Sequence, residues 1–319
     1  MTIIYLHIGQ EKTGTTSLQS FFSMNRKLLL KNRGVLYPRL FPAKTPSSHF
    51  NHAQFASGFL AENERSFARL PDGCSISDAI GNLRSLVHKH DPEKVILSCE
   101  QFSSRFRAEH IRLLKDSLDF AEVKVVSYLR KQDDYAISSF SESLKYGQKR
   151  WLNLTVKPKY KKLDYYASLS PWADTFLSEN IILREFESSI FTGNKLYENF
   201  LTTIDEEWQQ QYSIPNTENT SISFEEASIL IEANQHLLTW KEAIAAGDVE
   251  LFRQSQGMRK KLLGLLRQHR ATLGFTPLSS TFSASDKATF LDFFRDSNRK
   301  LAEKYFTGKQ LFSDIAKEE

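Results

Sequence analysis

The chain is poor in cysteine, in charge imbalance and in long apolar runs, and each shortage removes a class of protein. Cys74 and Cys99 are its two cysteines, too few for a disulfide framework and compatible with a reducing compartment. Lys plus Arg number 42 against 38 Asp plus Glu, a formal charge of +4. That excess is too small for a dedicated nucleic-acid binder, which needs a concentrated basic field, yet it allows a local pocket for an anion. No apolar stretch approaches the roughly 18 to 20 residues of a membrane-crossing helix. The opening Met1-Thr2-Ile3-Ile4-Tyr5-Leu6 has neither a basic leader nor a cleavage site, so it does not read as a signal peptide. These observations predict a soluble, cytoplasmic protein with no integral membrane segment. Internal repeats and low-complexity tracts are also missing. What is present is globular in composition: 319 residues, 40% hydrophobic and 25% charged, enough for about two domains or one enlarged one.

Short apolar runs separated by helical patterns dominate the first two thirds. Ile3 to Ile8, Val95 to Cys99, Val123 to Leu129 and Asn180 to Leu183 read as buried strands. Ser17 to Leu30, stopped by Gly34, reads as a helix, as do Ser77–Lys89, Ala108–Leu118 and Asp133–Lys145. Residues 35–71 look irregular, with turn signals at Pro38, Pro42 and Pro46. Alternating strands and helices predict an α/β fold, a central parallel sheet flanked by helices, over residues 1–193. From 194 to 319 strand patterns vanish and a helical part packed on the core is expected. Ser223-Phe224-Glu225-Glu226 is a capping box there, and Phe290, Phe294, Leu301 and Tyr305 recur at the spacing of a core-facing stripe.

The loop after the first strand carries the chemistry. Gly9-Gln10-Glu11-Lys12-Thr13-Gly14-Thr15-Thr16-Ser17 combines small residues, four hydroxyls and one lysine just ahead of a helix. Small residues let backbone N–H groups close on an anion, and the helix start adds unpaired donors and a favourable dipole. Gly9 and Gly14 keep the glycine spacing of a Walker A loop, but Thr15 stands where that loop has its triphosphate-binding lysine, and Lys12 comes before the second glycine.

Lys12-Thr13-Gly14-Thr15-Thr16-Ser17, directly after an N-terminal strand, resembles the 5'-phosphosulfate loop of sulfotransferases. A second motif agrees. Arg130 ends the third predicted strand and Ser138 follows eight positions later, as in that family's 3'-phosphate site, although Gln132 stands where the family often has proline. Leu183-Arg184-Glu185-Phe186-Glu187 is a weaker echo. Leu6-His7-Ile8-Gly9 and the segment from Ser297 to Phe306 look like bacterial members. The resemblance spans about residues 3–190.

It implies a P-loop NTPase-like fold of sulfotransferase type, with 3'-phosphoadenosine 5'-phosphosulfate (PAPS) as sulfuryl donor. It implies a carbohydrate or glycolipid acceptor, and no metal. Lys12 would meet the leaving-group side, with Thr13, Gly14, Thr15, Thr16 and Ser17 forming the cradle and Arg130 and Ser138 holding the 3'-phosphate. The family's general base is a Glu or a His. Glu100 at the end of the second predicted strand, His52 and His49 all qualify, ranked Glu100 then His52. Arg259-Lys260-Lys261 reads as a solvated basic helix face. Two other readings stand beside this one: a nucleotide kinase or NTPase, with Glu100 as the acidic metal partner, and a non-catalytic anion- or glycan-binding relative.

Overall fold

The computed structural model describes residues 1–41, 50–65, 67–158, 161–187, 192–216 and 221–312. Five strands form one parallel sheet: β1 (Ile3–His7), β2 (Val35–Leu36), β3 (Lys94–Ser98), β4 (Glu122–Arg130) and β5 (Ile181–Phe186), in the order β2-β3-β1-β4-β5. The expected α/β class with a parallel sheet is what the chain adopts. Four strands coincide with the apolar runs, because strands covered on both faces have no polar side to alternate with. β2 was not expected. Two residues long, it is too short to show a pattern, and it is held by pairing with Lys94 and Val95.

The topology fixes where a ligand can sit. From β1 the chain passes through helix α1 (Thr15–Arg33) to β2 on one side, whereas β5 adds beside β4 on the other. Connections therefore leave the neighbours β1 and β4 in opposite directions, which opens a crevice at their carboxyl ends. The glycine-threonine loop leaves β1 there and Arg130 closes β4 there.

α1 is anchored by an apolar face. Leu18, Phe21, Phe22 and Leu29 are fully buried, Phe21 stacks on Tyr197 at 4.7 Å and Phe22 meets Phe200 edge-on at 5.0 Å. Burying each such side chain contributes about 1.5–3 kcal/mol. Gly34, in the left-handed region (φ 63), ends the helix as expected and donates to the Leu29 and Leu30 carbonyls.

The chain divides into two compact units that interleave along the sequence. One takes Met1–Arg130, Tyr160–Thr217 and Asp296–Glu319, and the other Lys131–Lys159 and Glu218–Arg295. Residues just beyond 193 thus belong with the sheet. The anticipated aromatic stripe is shared out, with buried Phe290 and Phe294 in the second unit and buried Leu301 in the first.

The second unit is helical. Ser223 and Glu226 form their capping box at the head of the Phe224–His236 helix, and Arg270 pairs with the buried Glu226 carboxylate at 2.6 Å. The basic run corrects the sequence reading. Lys260 and Lys261 are exposed, but Arg259 is only 2% exposed. Its guanidinium donates to Asn234 Oδ1 (2.7 Å) and the Leu238 carbonyl (2.9 Å). A Cβ on Gly147 would stand 2.8 Å from Arg259 Nη2, so the glycine makes room for it. Among the described residues no helix is long and apolar enough to cross a membrane, and both cysteines are free thiols.

Candidate active site

The loop after β1 is built by three left-handed residues: Gly9 (φ 52), Lys12 (φ 69) and Gly14 (φ 74). For glycine this region is open; for Lys12 it is uncommon and strained. Close approach also demands the glycines. A Cβ on Gly9 would lie 2.9 Å from Thr15 Oγ1 and 3.4 Å from the Glu100 Cα, and one on Gly14 would lie 2.5 Å from Leu196 Cδ2. Gly14→Ala is therefore expected to destabilise the fold by about 1–3 kcal/mol through backbone strain and overpacking together. Urea unfolding measures it, and an unchanged midpoint would mean that the loop is looser than this geometry.

The four hydroxyls divide into two pairs. Thr13 Oγ1 donates to the Gln10 carbonyl at 2.6 Å and Thr15 Oγ1 donates to the same oxygen at 3.2 Å, both buried. They hold the turn from within, so what Thr13 and Thr15 offer an anion is backbone N–H. Thr16 is exposed and Ser17 half-buried, on the first turn of α1. The N-cap Gly14 brings no side-chain cap, and no acidic residue lies in that turn, so the positive end of the helix dipole is unopposed by its own sequence.

Arg130 comes to this loop. Its Nη1 donates to the Lys12 carbonyl at 2.9 Å, its guanidinium lies over the Phe186 ring at 5.6 Å, and its own carbonyl accepts from the Tyr165 hydroxyl at 2.6 Å. Glu11, beside Lys12, pairs with Lys162 at 2.8 Å. The two cationic residues expected to grip opposite ends of a nucleotide thus stand on one crevice edge. Ser138 is half-buried on the Gln132–Leu144 helix, in the second unit.

Glu100 also reaches the loop, through its backbone beside Gly9. It sits at the N-cap of the Gln101–Arg105 helix without capping it. Arg107 pairs with Glu64 and Glu109 and not with Glu100. The Glu100 Oε2 accepts from Gln19 Nε2 at 3.1 Å. His52 is placed differently. Its Nδ1 accepts the Ser98 N–H (3.0 Å) and its Nε2 donates to the Pro38 carbonyl (3.1 Å), and burial lowers its pKa to about 4. Both ring nitrogens are committed to backbone, which ties the residue to the end of β3. His49 lies outside the described residues. Among the described residues no group of three metal-ligating side chains comes together.

Sequence reasoning missed three buried polar residues behind Glu100: Gln19, Ser98 and His7. The available signal was position. Gln19 interrupts the apolar face of α1, and Ser98 and His7 are polar residues at the ends of otherwise apolar strands.

No protein-family model matches the chain. An uncharacterized protein of Archaeoglobus fulgidus is 26% identical over 218 residues, 68% of this chain and 55% of that protein, so the chain spans about half the length of the curated relative it matches. A solved sulfotransferase resembles it. That crystal structure, from Alicyclobacillus acidocaldarius, aligns with 74% of this chain and 95% of its own at a TM-score of 0.40 and 14% identity.

Proposed function

We propose that this chain is a sulfotransferase that moves a sulfuryl group from PAPS to a hydroxyl of a carbohydrate or glycoconjugate. The observation that supports it best is the Arg130–Lys12 contact, which joins two anion-binding motifs, distant in sequence, at one crevice. The head of α1, with no side-chain cap and no acidic residue in its first turn, suits a phosphate group. The donor supplies the transferable SO₃. The N–H groups at the head of α1 and the Lys12 ammonium stabilise negative charge growing on the leaving phosphate oxygen, more in the transition state than in the ground state. Arg130 offers a planar fork to the ribose 3'-phosphate. Glu100 accepts the proton of the acceptor hydroxyl, having one oxygen held by Gln19. The free thiols of Cys74 and Cys99 suit a cytoplasmic location.

Binding of adenosine 3',5'-bisphosphate tests the reading. At one hundred times its dissociation constant the ligand is expected to stabilise the fold by about 2.7 kcal/mol, raising Tm by several degrees, and Arg130→Ala is expected to abolish the shift. A response to magnesium-ATP but none to the bisphosphate would replace this reading with a nucleotide kinase or NTPase. Bisphosphate binding with no turnover against a panel of sugar acceptors would leave a non-catalytic relative.

A further inference from the structure

Behind Glu100 a line of polar side chains runs inward to the middle of the sheet. Gln19 Nε2, on α1, lies 3.1 Å from Glu100 Oε2 and 3.4 Å from both the carbonyl and the Oγ of Ser98. Ser98 Oγ lies 2.8 Å from His7 Nδ1 across the β1–β3 pair, where the two residues are in register. His7, Ser98 and Gln19 are all buried, and Glu100 is half-buried. His7 Nε2 has no hydrogen-bond partner, its ring lying against Phe200 and Tyr128.

The donor direction at Gln19 is set by its partners. Every atom around Gln19 Nε2 is an oxygen that accepts, so the amide must present its NH₂ there. One hydrogen goes to Glu100, and the other is shared between the two Ser98 oxygens. Ser98 Oγ, already accepting from Gln19, turns its own hydrogen to His7 Nδ1. His7 is kept neutral by burial, its pKa lowered to about 3, and in its Nε2–H tautomer Nδ1 accepts that hydrogen. The donors thus run outward from the Gln19 amide, one hydrogen to the carboxylate and the other to Ser98, and the bond on the Ser98 side fixes the plane of the amide. An amide cannot pass a proton on, so the line orients and does not conduct.

We propose that Gln19 is a positioning residue for Glu100, its amide aligned by Ser98 and His7 so that one carboxylate oxygen is fixed and the other is presented to the acceptor hydroxyl. The inference rests on Glu100 being the base.

The test uses the full chain, with transfer of radiolabelled sulfuryl groups from PAPS to water as the assay. Gln19→Met keeps the length of the side chain and removes the donor. It is expected to lower kcat about 10- to 100-fold, as losses of orienting partners do, with bisphosphate affinity and Tm near wild type. Ser98→Ala is expected to lower kcat less. In a Glu100→Gln background, Gln19→Met is expected to add nothing, because the group it positions has already gone. Equal losses in both backgrounds, or a loss matched by weaker bisphosphate binding, would overturn the proposal in favour of a merely structural role. Full turnover by Glu100→Gln alone would instead remove the base reading. A readout independent of turnover is the side-chain amide of Gln19 in ¹⁵N NMR. Slow hydrogen exchange and a shifted resonance on Glu100→Gln are expected, and an amide that exchanges like an exposed one would also overturn the proposal.

Discussion

Lys12→Ala is expected to cut turnover of radiolabelled PAPS about 100- to 1,000-fold, the usual loss when one donor facing developing charge is removed, while adenosine 3',5'-bisphosphate still binds. The loop's main-chain contact survives this substitution. Arg130 holds the loop through the Lys12 backbone carbonyl, which alanine also supplies. The left-handed backbone at position 12 is as strained for alanine as for lysine, so the substitution adds no backbone strain. What disappears is the ammonium. The checks are the single-turnover rate, the bisphosphate dissociation constant and Tm, measured together. Turnover within threefold of wild type would show that the ammonium does not face the reacting group.

Acid is expected to weaken the fold well above the carboxylate range. His7 and His52 are both buried, and desolvation lowers their pKa values to about 3 and about 4 from an ordinary 6.5. Both are neutral in the folded state, while in the unfolded chain each takes up a proton as pH falls through 6.5. Below that point the unfolded state binds more protons than the folded one, so stability falls as pH falls. At pH 5 the two together give a slope of about 2.5 kcal/mol per pH unit, and between pH 7 and pH 5 the loss is about 4 kcal/mol. The lowered pKa values of Glu225 and Glu242 act only at more acid pH. Urea midpoints at pH 7, 6 and 5 measure the effect. A flat profile across that range would mean that one or both imidazoles are charged or hydrated in the folded protein.

Those two histidines also mark where sequence reading runs out. The strand-loop-helix opening was legible because its chemistry is local: an apolar run, two glycines at fixed spacing and a helix start are contiguous. The place of Arg130 at the end of an apolar strand was legible for a similar reason, whereas the role expected of it came from the resemblance to the sulfotransferase motif. The role of a histidine depends instead on what its ring meets after folding. His52 looks like any loop residue until Ser98 and Pro38 occupy its two nitrogens. His7 looks like one more member of a buried strand until Ser98 arrives in register.

The interleaved units escaped for a different reason. Residues 131–158 continue the helical text of the core, and no glycine-rich or proline-rich linker announces that the chain has left it. Arg259 shows the same limit on a smaller scale. It shares a basic triplet with two exposed lysines, and only the amide of Asn234, the Leu238 carbonyl and the space left by Gly147 distinguish it.

The central place of β1 has a further consequence, for the order of assembly. Its sheet partners come late: 91 residues separate His7 from Ser98, and 118 separate Lys12 from Arg130. During synthesis at about 5–20 residues per second, the Ile-Ile-Tyr-Leu stretch is without either neighbour until the ribosome has added that much more chain. Long-range parallel pairing of this kind is slow and prone to aggregation. The strand that leads into the glycine-threonine loop thus waits longer for a sheet neighbour than any other strand described.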